Sequence, residues 1–336
     1  MILLDSLYIN NSGGKILLDY LVETLETNNI PVFYLFDERC RGEFPQVPNR
    51  RKVFMKANLI SRHSFYVRKK KKFSQVFCFG NLAPTISLDV PVYTYFHQLL
   101  FLDVPDSMSV VDKVKINLKM MVLNALKANT NIWFVQSQQV KTRLASKYNV
   151  DIDDVKLLPF YPPLHNNRTD YDRRKDAFVY ISSGSTHKNH SNLIEAFCKF
   201  HDEEGKGILH LTISEDFTEI LEVINSKIQA GYPITNHGFV KRNDLIKIYQ
   251  SSAYLIFPSL AESFGLGIVE AIENGCKVMG ADLPYTYAVC KPSLIFDPLD
   301  VDDMVRVFKE SQAEEVKRTI QLVFNQIDQI ITLLQK

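Results

Sequence analysis

Short, continuous apolar runs alternate with segments of helical period along most of the chain. Strands buried on both faces read as uninterrupted apolar runs, whereas half-exposed strands alternate apolar and polar residues. The pattern therefore predicts an α/β protein whose parallel sheets are covered by helices on both faces. In the N-terminal half we predict strands at 2–4, 32–36, 53–55, 76–79, 92–96 and 132–135.

A polar segment at residues 161–176 interrupts this alternation. Tyr161-Pro162-Pro163 is followed, after Leu164, by HNNRTDYDRRKD, which has no apolar period and is typical of a linker. Helical periodicity near the end of the chain covers 301–309 and a long stretch, 313–335. A second series of strands is predicted at 177–181, 208–213, 234–240, 253–257 and 277–280. The chain therefore reads as two Rossmann-like domains.

Two predicted strand-to-helix junctions are rich in small residues. Gly13 and Gly14 would let a phosphate or sugar approach the backbone, although a tight turn alone also needs glycine. The second junction, SSGSTHKN at 182–189, offers N–H groups, hydroxyls and Lys188 to a phosphate. The alternative interpretation of this junction is a capped helix start with an exposed lysine. The junction is not a P-loop, because it lacks the GxxxxGK[ST] spacing.

The third junction, PSLAESFGLGIVEA at 258–271, carries two carboxylates and two glycines. Backbone N–H groups and the positive end of a helix face an anion in such a turn. We predict that this turn holds a nucleotide-sugar, although Glu262 and Glu270 would repel its diphosphate unless each carboxylate faced hydroxyl groups. His97 directly follows the predicted strand VYTYF, at the carboxyl end where parallel sheets bind ligands. A polar residue that merely opens a loop is the alternative for His97.

Composition fits an ordinary protein with two cores: 336 residues, 46% hydrophobic, with 39 basic and 38 acidic side chains. The near-neutral total conceals a charge of +7 over residues 1–163 and −6 over the remainder. No apolar run is long enough to span a bilayer, and Asp5 interrupts the start, so we expect neither a membrane span nor a signal peptide. Five cysteines without a CxxC pair are typical of reduced thiols in a cytoplasmic protein.

Two basic segments belong to the positive half of the chain. Arg68-Lys69-Lys70-Lys71-Lys72 is predicted on a loop, and VVDKVKINLKMMVLNALKA at 110–128 has lysines around an apolar face. Both could simply be solvated; we do not expect nucleic acid as a partner. Attraction to an anionic leaflet is worth about 1 kcal/mol per basic residue near the surface. We therefore hypothesise peripheral contact with the inner face of the cytoplasmic membrane through Arg68–Lys72.

Residues 177–300 closely resemble the retaining nucleotide-sugar glycosyltransferases of family 4, also called glycosyltransferases group 1. The resemblance rests on SSGSTHKNHSNLIEAF at 182–197, on 236–275, on ADLPYTYAV at 281–289 and on FDP at 296–298. Seven residues separate Glu262 from Glu270, as in the family signature. In the N-terminal half the resemblance is limited to Gly13-Gly14, His97 and FVQSQQVKTRL at 134–144. It implies the GT-B fold: two facing, doubly wound Rossmann-like domains with parallel sheets.

The resemblance also implies the domain layout and the site. The N-terminal acceptor-side domain would be 1–163, the donor-binding domain 164–314, and a crossover helix at about 315–336 would pack back on the first. Glu262 would lie beside the transferred sugar, Glu270 would bind ribose hydroxyls, and Lys188 would neutralise the leaving diphosphate. His97 would contact the sugar near the reacting centre. The donor-binding set would be Gly13, Gly14, Ser183, Gly184, Lys188, Gly238, Ser263, Phe264, Gly265, Leu266, Gly267 and Glu270.

One position departs from the family pattern. Many members carry an arginine some six residues before the lysine, where this chain has Ser182-Ser183-Gly184. Serine hydroxyls, His187, Lys241 or Arg242 could replace it. The reaction of the family needs no divalent metal or other cofactor, and no carboxylate is obviously placed as a nucleophile. Leaving-group-assisted, front-face substitution is therefore expected, with N–H dipoles and a lysine stabilising the departing diphosphate.

The expected function is transfer of one hexose from GDP-mannose or a UDP-hexose to a saccharide or lipid-linked acceptor. The setting would be synthesis of a bacterial surface polysaccharide, O-antigen or capsule. A nucleotide-sugar epimerase of the same fold is one alternative, and it would isomerise the donor without an acceptor. A non-catalytic binding scaffold is the other, and the missing arginine is its one support.

Overall fold

The computed structural model describes residues 1–104, 108–164 and 172–335, apart from the side chain of Ser12. These residues form two compact units. The first consists of Met1–Pro162 together with the C-terminal segment Phe324–Lys336, and the second is Pro163–Val323. The two units are described separately below.

The first unit is built on a parallel sheet of seven strands. The strands are β1 Ile2–Asp5, β2 Val32–Asp37, β3 Lys52–Met55, β4 Gln75–Cys78, β5 Val92–Phe96, β6 Ile132–Val135 and β7 Val155–Leu157. Their order in the sheet is β3-β2-β1-β4-β5-β6-β7, and every pairing is parallel. The central strands β1 and β4 are buried along their whole length because they consist of apolar runs covered on both faces.

Helices connect these strands. They are α1 Ser12–Thr27, α2 Leu59–Lys69, α3 Val110–Leu126 and α4 Gln138–Tyr148. The prediction of a loop at Gly13-Gly14 is wrong, because α1 begins at Ser12 and both glycines lie in its first turn. The basic run was also wrongly predicted as a loop: Arg68 and Lys69 end α2, and Lys70–Lys72 form a 3₁₀ turn. Cations are favourable there because the C-terminal end of a helix is negative.

The second unit is built on a parallel sheet of six strands. The strands of this unit are β8 Arg174–Tyr180, β9 Ile208–Leu211, β10 Ile234–Asn236, β11 Ser252–Phe257, β12 Lys277–Ala281, β13 Cys290–Lys291, β14 Leu294–Phe296 and β15 Ile320–Gln321. Their order in the six-stranded sheet is β10-β9-β8-β11-β12-β14. The first strand, β8, lies between β9 and β11, so chain order reverses there and leaves a crevice at the carboxyl ends of β8 and β11. The helices of this unit are α5 His190–Glu204, α6 Thr218–Gln229, α7 Leu245–Ser251, α8 Leu266–Glu273, α9 Pro284–Val289 and α10 Val301–Glu310.

The C-terminal segment differs from the single helix predicted at 313–335. Only α11, Ile327–Gln335, is helical there. Ile320–Gln321 instead pairs antiparallel with β13, and the hydroxyl of Thr319 accepts a hydrogen bond from Val278 N. These tertiary contacts override local helix propensity. Helix α11 belongs to the first unit, where Gln75 Nε2 donates to its Leu334 carbonyl at 2.8 Å.

Part of the predicted linker also has a different structure. Arg174 to Asp176, the end of the polar stretch, already belong to β8. Residues 165–171 of that stretch lie outside the described ranges. Two alternating α/β series and parallel sheets, predicted from the apolar runs, are confirmed.

Candidate active site

The structure brings Lys188 and Glu262 together at the crevice of the second unit. Lys188 ends a 3₁₀ turn, Thr186–Lys188, between β8 and α5. Its ammonium lies 2.5 Å from Glu262 Oε1, and the two side chains are only 17% and 13% exposed. The buried hydroxyl of Tyr180, at the end of β8, donates to the Lys188 carbonyl at 3.0 Å and fixes the backbone of this turn.

Backbone contacts hold the Glu262 loop against the Lys188 turn. Leu260 N donates to the His187 carbonyl at 2.8 Å, and Tyr285 Oη donates to the Ser259 carbonyl at 2.6 Å. The side-chain amide of Asn189 donates to the Pro258 carbonyl at 3.3 Å. Lys188 and Glu262 were predicted from the sequence without these connections, and no sequence pattern distinguishes Tyr285 from an ordinary core residue.

The glycine turn ends in the first turn of α8. Gly265 has φ +77°, a left-handed conformation that a residue with a Cβ adopts only with strain. The helix has no side-chain cap, so its first N–H groups, at Leu266 and Gly267, are donors of the kind that suit an anion or hydroxyl. Phe264 is buried beside them, whereas Ser263 is partly exposed.

Glu270 is the most enclosed of the predicted site residues. It is 4% exposed and forms an ion pair with Arg242, while the hydroxyl of Tyr249 donates to its Oε2 at 3.3 Å. Burial raises the pKa of the Glu270 carboxyl, and the Arg242 guanidinium opposes that rise. Arg242, considered from sequence only as a substitute for the missing arginine, is thus the charge partner of Glu270. The contact between Tyr249 and Glu270 was not predicted, because a tyrosine in an apolar helical segment is expected to be an ordinary core residue.

Hydrogen bonds from the His190 ring hold the serine-rich loop that follows β8, at residues 182–185. The His190 Nε2 donates to the Ser183 carbonyl at 3.0 Å and lies 2.9 Å from the Ser182 hydroxyl. Burial lowers the pKa of His190 to about 4, so this ring is neutral. Gly184 packs so closely that an added Cβ would lie 2.5 Å from the Cβ of Phe217. Packing against Phe217 therefore requires glycine at position 184 whether or not this loop binds a ligand.

Gly238 lies apart from the other predicted donor-binding residues of this unit. It follows β10, with φ +65°, and β10 is separated from β11 by two strands. At the usual spacing between strands, the end of β10 is about 14 Å from the end of β11. Next to Gly238, His237 Nε2 lies 3.1 Å from His210 Nδ1. Neither histidine was singled out from the sequence.

In the first unit the structure brings His97 and Gly14 together. A Cβ added to Gly14 would lie 2.9 Å from His97 Cε1, so the ring occupies the space that a side chain would need. Gly13 has no such neighbour and is exposed. Position 14 therefore requires glycine, because any side chain there would clash with the His97 ring. The contact places His97 against the first turn of α1, at the carboxyl edge of the sheet.

The Phe79 carbonyl favours one tautomer of the His97 ring. The ring Nε2 lies 3.2 Å from that carbonyl, which can only accept, and 3.5 Å from the donor Asn81 Nδ2. The shorter contact assigns the proton to Nε2 and leaves Nδ1 as an acceptor. His97 N donates to Asn81 Oδ1 at 2.7 Å, and the ring stacks on Phe79 with centroids 5.1 Å apart. Burial lowers the pKa of His97 to about 4. Asn81, left-handed at φ +65°, is a positioning residue that the sequence did not reveal.

A buried ion pair supports the loop that carries Phe79 and Asn81. Arg62 and Asp5 are 2% and 1% exposed, with Arg62 Nε 2.8 Å from Asp5 Oδ2. The same guanidinium donates to the Leu82 and Ala83 carbonyls at 2.8 and 2.6 Å. The loop that orients His97 is therefore fixed to the centre of the sheet by an arginine that reads as a surface residue in the sequence.

In the described ranges of the chain, no helix is both long and apolar enough to cross a bilayer. Across the same ranges, His, Cys, Asp and Glu side chains do not gather in groups of three or more that could hold a metal ion.

Comparison with known proteins identifies a family for the second half of the chain. The model of the family "Glycosyl transferases group 1" matches residues 165–326. The serotype-specific mannosyltransferase WbdA of Escherichia coli is 34% identical over 102 residues, which are 30% of this chain and 12% of WbdA. The O-antigen chain mannosyltransferase RfbU of Salmonella typhimurium is 24% identical over 156 residues, or 46% of this chain and 42% of RfbU. The chain therefore spans less than half the length of these curated relatives.

A solved structure supports the fold over nearly the whole chain. Anabaena Alr3699/HepE, in complex with UDP and glucose, superposes with a TM-score of 0.67 at 13% identity. The match covers 93% of this chain and 90% of HepE. With two Rossmann-like units and two parallel sheets, the predicted GT-B fold class is confirmed.

Proposed function

Because residues 165–326 belong to the glycosyl transferases group 1 family, we propose that this protein is a retaining, hexose-transferring glycosyltransferase. Its donor is a nucleotide-sugar, and its acceptor is a saccharide or lipid-linked glycan of a bacterial surface polysaccharide. The observation that carries the proposal is the juxtaposition of Lys188 with Glu262 beside the uncapped first turn of α8. This arrangement offers a cation and N–H donors to a diphosphate and a carboxylate to sugar hydroxyls.

Lys188 is the residue we assign to the leaving group. As the bond between the sugar and the diphosphate breaks, negative charge grows on the phosphate oxygens, and a nearby ammonium stabilises it more in the transition state than in the ground state. Glu262 competes for the same ammonium until the donor binds. Its carboxylate is then free to accept hydrogen bonds from the sugar, which places the transferred ring beside the lysine.

Glu270 and Arg242 form the second half of the donor site. A carboxylate with one oxygen near Tyr249 and the other paired to Arg242 is rigidly held. It can accept hydrogen bonds from two vicinal ribose hydroxyls at that fixed position. Arg242, the charge partner of Glu270, is the cation that we assign to this donor site beside Lys188. Ser183, Gly184, Ser263, Phe264 and Gly267 line this donor site in the proposal, and Gly238 lies toward the base.

His97 and Gly14 form a sugar-binding surface of the first unit in this proposal. His97 is neutral near pH 7 and presents an acceptor at Nδ1, so it can receive a hydrogen bond from a sugar hydroxyl but cannot supply a positive charge. The absence of a charge there suits a sugar better than a phosphate. Gly13 is the exposed backbone beside it. The reaction needs neither a metal ion nor another cofactor in this proposal.

Mannose is the sugar we favour first. The two sequence relatives are mannosyltransferases by name, which supports GDP-mannose, whereas HepE binds UDP. A thermal-shift screen of GDP-, UDP- and ADP-sugars ranks the donors, because a ligand that binds the native state raises its melting temperature. GDP-mannose or a UDP-hexose should give the largest shift.

A turnover assay then separates three functions. Transfer predicts release of nucleoside diphosphate that depends on an added acceptor glycan. An epimerase would instead convert the donor to its isomer without any acceptor, and a scaffold would bind the donor and turn over nothing. Lys188→Ala should abolish most of the release, and Lys199→Ala, an exposed lysine on α5, is the matched control. Equal release by the Lys188→Ala variant would refute the site assignment.

A further inference from the structure

Tyr8, in the loop between β1 and α1, has a backbone conformation that its side chain disfavours. Its φ is +83°, in the left-handed region that glycine or asparagine adopts at much lower cost than a tyrosine. Ile9 N donates to the Ser6 carbonyl at 3.1 Å, so residues 6–9 form a tight turn with Tyr8 at its third position. A turn with positive φ at that position usually carries glycine there. The tyrosine therefore costs the native state free energy.

The side chain of Tyr8 adds a second cost. Its hydroxyl oxygen is buried and has no hydrogen-bond partner among the residues that the structure describes. The ring packs against the apolar cluster that includes Leu82, Phe96 and Leu102. A buried hydroxyl without a partner loses the hydrogen bonds that water gives it in the unfolded chain. A phenylalanine at position 8 would fill the same space without this cost.

Neighbouring side chains hold the turn in this conformation. Tyr8 N donates to Asp37 Oδ2 at 3.2 Å, and Leu7 N donates to Asp5 Oδ1 at 3.2 Å. The Asp37 carboxylate is itself fixed by an ion pair with Arg39 at 2.7 Å. Strained residues persist only where surrounding contacts hold them, and they concentrate at functional sites. The turn thus keeps Tyr8 in a state that packing alone does not explain.

Tyr8 lies at the topological switch point of the first sheet. Chain order reverses between the neighbouring strands β1 and β4, and ligands of doubly wound sheets bind outside the carboxyl ends of such a pair. Tyr8 follows β1 and Gly80 follows β4. A Cβ added to Gly80 would lie 2.2 Å from the Leu7 carbonyl oxygen and 3.6 Å from Tyr8 Cδ2, so the ring lies against the second loop. The next residue of that loop, Asn81, accepts a hydrogen bond from His97 N.

We propose that Tyr8 binds the acceptor saccharide: its ring turns out of the apolar cluster when the sugar enters this crevice, and its hydroxyl then hydrogen-bonds a sugar hydroxyl. This inference rests on the proposed function and adds one substrate-binding residue to His97 and Gly14. A saccharide suits the site because a tyrosine hydroxyl can both donate to and accept from sugar hydroxyls. The ligand shifts the equilibrium because the hydroxyl gains the partner that it lacks in the free protein.

Acceptor kinetics of Tyr8→Phe test the role of the hydroxyl. The donor is the nucleotide-sugar selected by thermal shift. The acceptor is the most active of the methyl glycosides of mannose, glucose, galactose and N-acetylglucosamine. The KM for this acceptor should rise about fivefold, because one hydrogen bond is lost, whereas kcat should change less than about twofold. An unchanged acceptor KM would overturn the proposal, because phenylalanine keeps the ring and removes only the hydroxyl.

Urea unfolding of the same variant separates a binding role from a structural one. The midpoint of Tyr8→Phe should equal or exceed that of the wild type, because the variant no longer buries an unpartnered hydroxyl. Tyr34→Phe is the matched control, since the Tyr34 hydroxyl donates to Glu26 Oε1 at 2.6 Å. Its midpoint should fall while its acceptor KM stays that of the wild type. A lower midpoint for Tyr8→Phe would overturn the proposal, because the hydroxyl would then stabilise the free protein.

Fluorine NMR of the full chain labelled with 3-fluorotyrosine detects the movement itself. The chain has 15 tyrosines, and the resonance that is missing from labelled Tyr8→Phe belongs to Tyr8. Saturation with a methyl glycoside should shift this resonance, and the absence of a shift with all of the methyl glycosides would overturn the proposal. A shift without any sugar transfer would refute the proposed function alone. Transfer with the wild-type acceptor KM in Tyr8→Phe would refute the assignment of Tyr8 alone.

Discussion

Glu262→Gln should make the protein bind nucleoside diphosphate more tightly while it transfers sugar more slowly. In the described structure the Glu262 carboxylate neutralises Lys188 at 2.5 Å, with both side chains more than four-fifths buried. A diphosphate must therefore share or displace that carboxylate. Glutamine keeps the shape and a hydrogen-bonding oxygen but removes the negative charge, so Lys188 is left for the phosphate.

The size of the effect follows from Coulomb's law. Two anions on opposite sides of one ammonium are about 5 Å apart, and an effective dielectric constant of about 20–80 covers the range from a partly buried site to bulk water. Removing one negative charge then relieves about 1–3 kcal/mol of repulsion per phosphate charge. That difference corresponds to a dissociation constant about fivefold to 150-fold lower.

Isothermal calorimetry with GDP and UDP measures this directly. Glu195→Gln, an exposed change of the same charge on α5, should leave the dissociation constant within about twofold of the wild type. Turnover by Glu262→Gln should fall, because the carboxylate that we assign to the sugar hydroxyls is lost. Weaker binding of diphosphate by Glu262→Gln than by the wild type would refute the competition between carboxylate and phosphate for Lys188.

Three further predictions concern the first unit and the buried histidines. Gly14→Ala would place a methyl group 2.9 Å from His97 Cε1, so the ring must move. We expect kcat in a transfer assay to fall at least about tenfold. Cooperative urea unfolding of the variant would show that its fold is retained. Burial lowers the pKa values of His97 and His190 to about 4. As the pH falls below about 6.5, these two imidazoles therefore become protonated in the unfolded chain but not in the native state. The unfolding free energy, measured by urea titration, should therefore decrease between about pH 7 and about pH 5. His190→Asn, whose amide can still donate a hydrogen bond, should make this decrease with pH smaller. A decrease equal to that of the wild type would contradict the prediction. Arg62→Met leaves the buried Asp5 carboxylate without its ion-pair partner and should lower the unfolding free energy by about 3–5 kcal/mol in urea melts, whereas a loss below about 1 kcal/mol would show that the pair is dispensable.

The apolar runs were enough to predict both sheets because strands buried on two faces leave an uninterrupted pattern. The runs at 32–36 and 92–96 became β2 and β5 almost residue for residue. The C-terminal helix was predicted too long, since nothing local marks Ile320 as a residue that pairs with Lys291. Long-range pairing of a two-residue strand has no periodicity to detect.

The site was predictable only where a residue has a recognisable position next to a turn. Lys188 and Glu262 could be named from their motifs, but their ion pair depends on how the loop after β11 folds against β8. Arg62 and Asn81 were missed for a physical reason. An arginine in a helix is usually solvated, and only the buried Asp5 and the two loop carbonyls make it a structural residue. Asn81 is defined by its left-handed backbone, which the sequence does not display.

Proton NMR of a complete reaction tests the central claim, transfer of a sugar from a nucleotide donor at the Lys188–Glu262 site, most directly. The sample contains the protein, the donor selected by thermal shift and an acceptor glycan. A new anomeric proton with the configuration of the donor sugar should grow as the donor signal falls, and Lys188→Ala should suppress it. Loss of the donor signal with no new glycoside, or equal growth of the glycoside with Lys188→Ala, would contradict the claim.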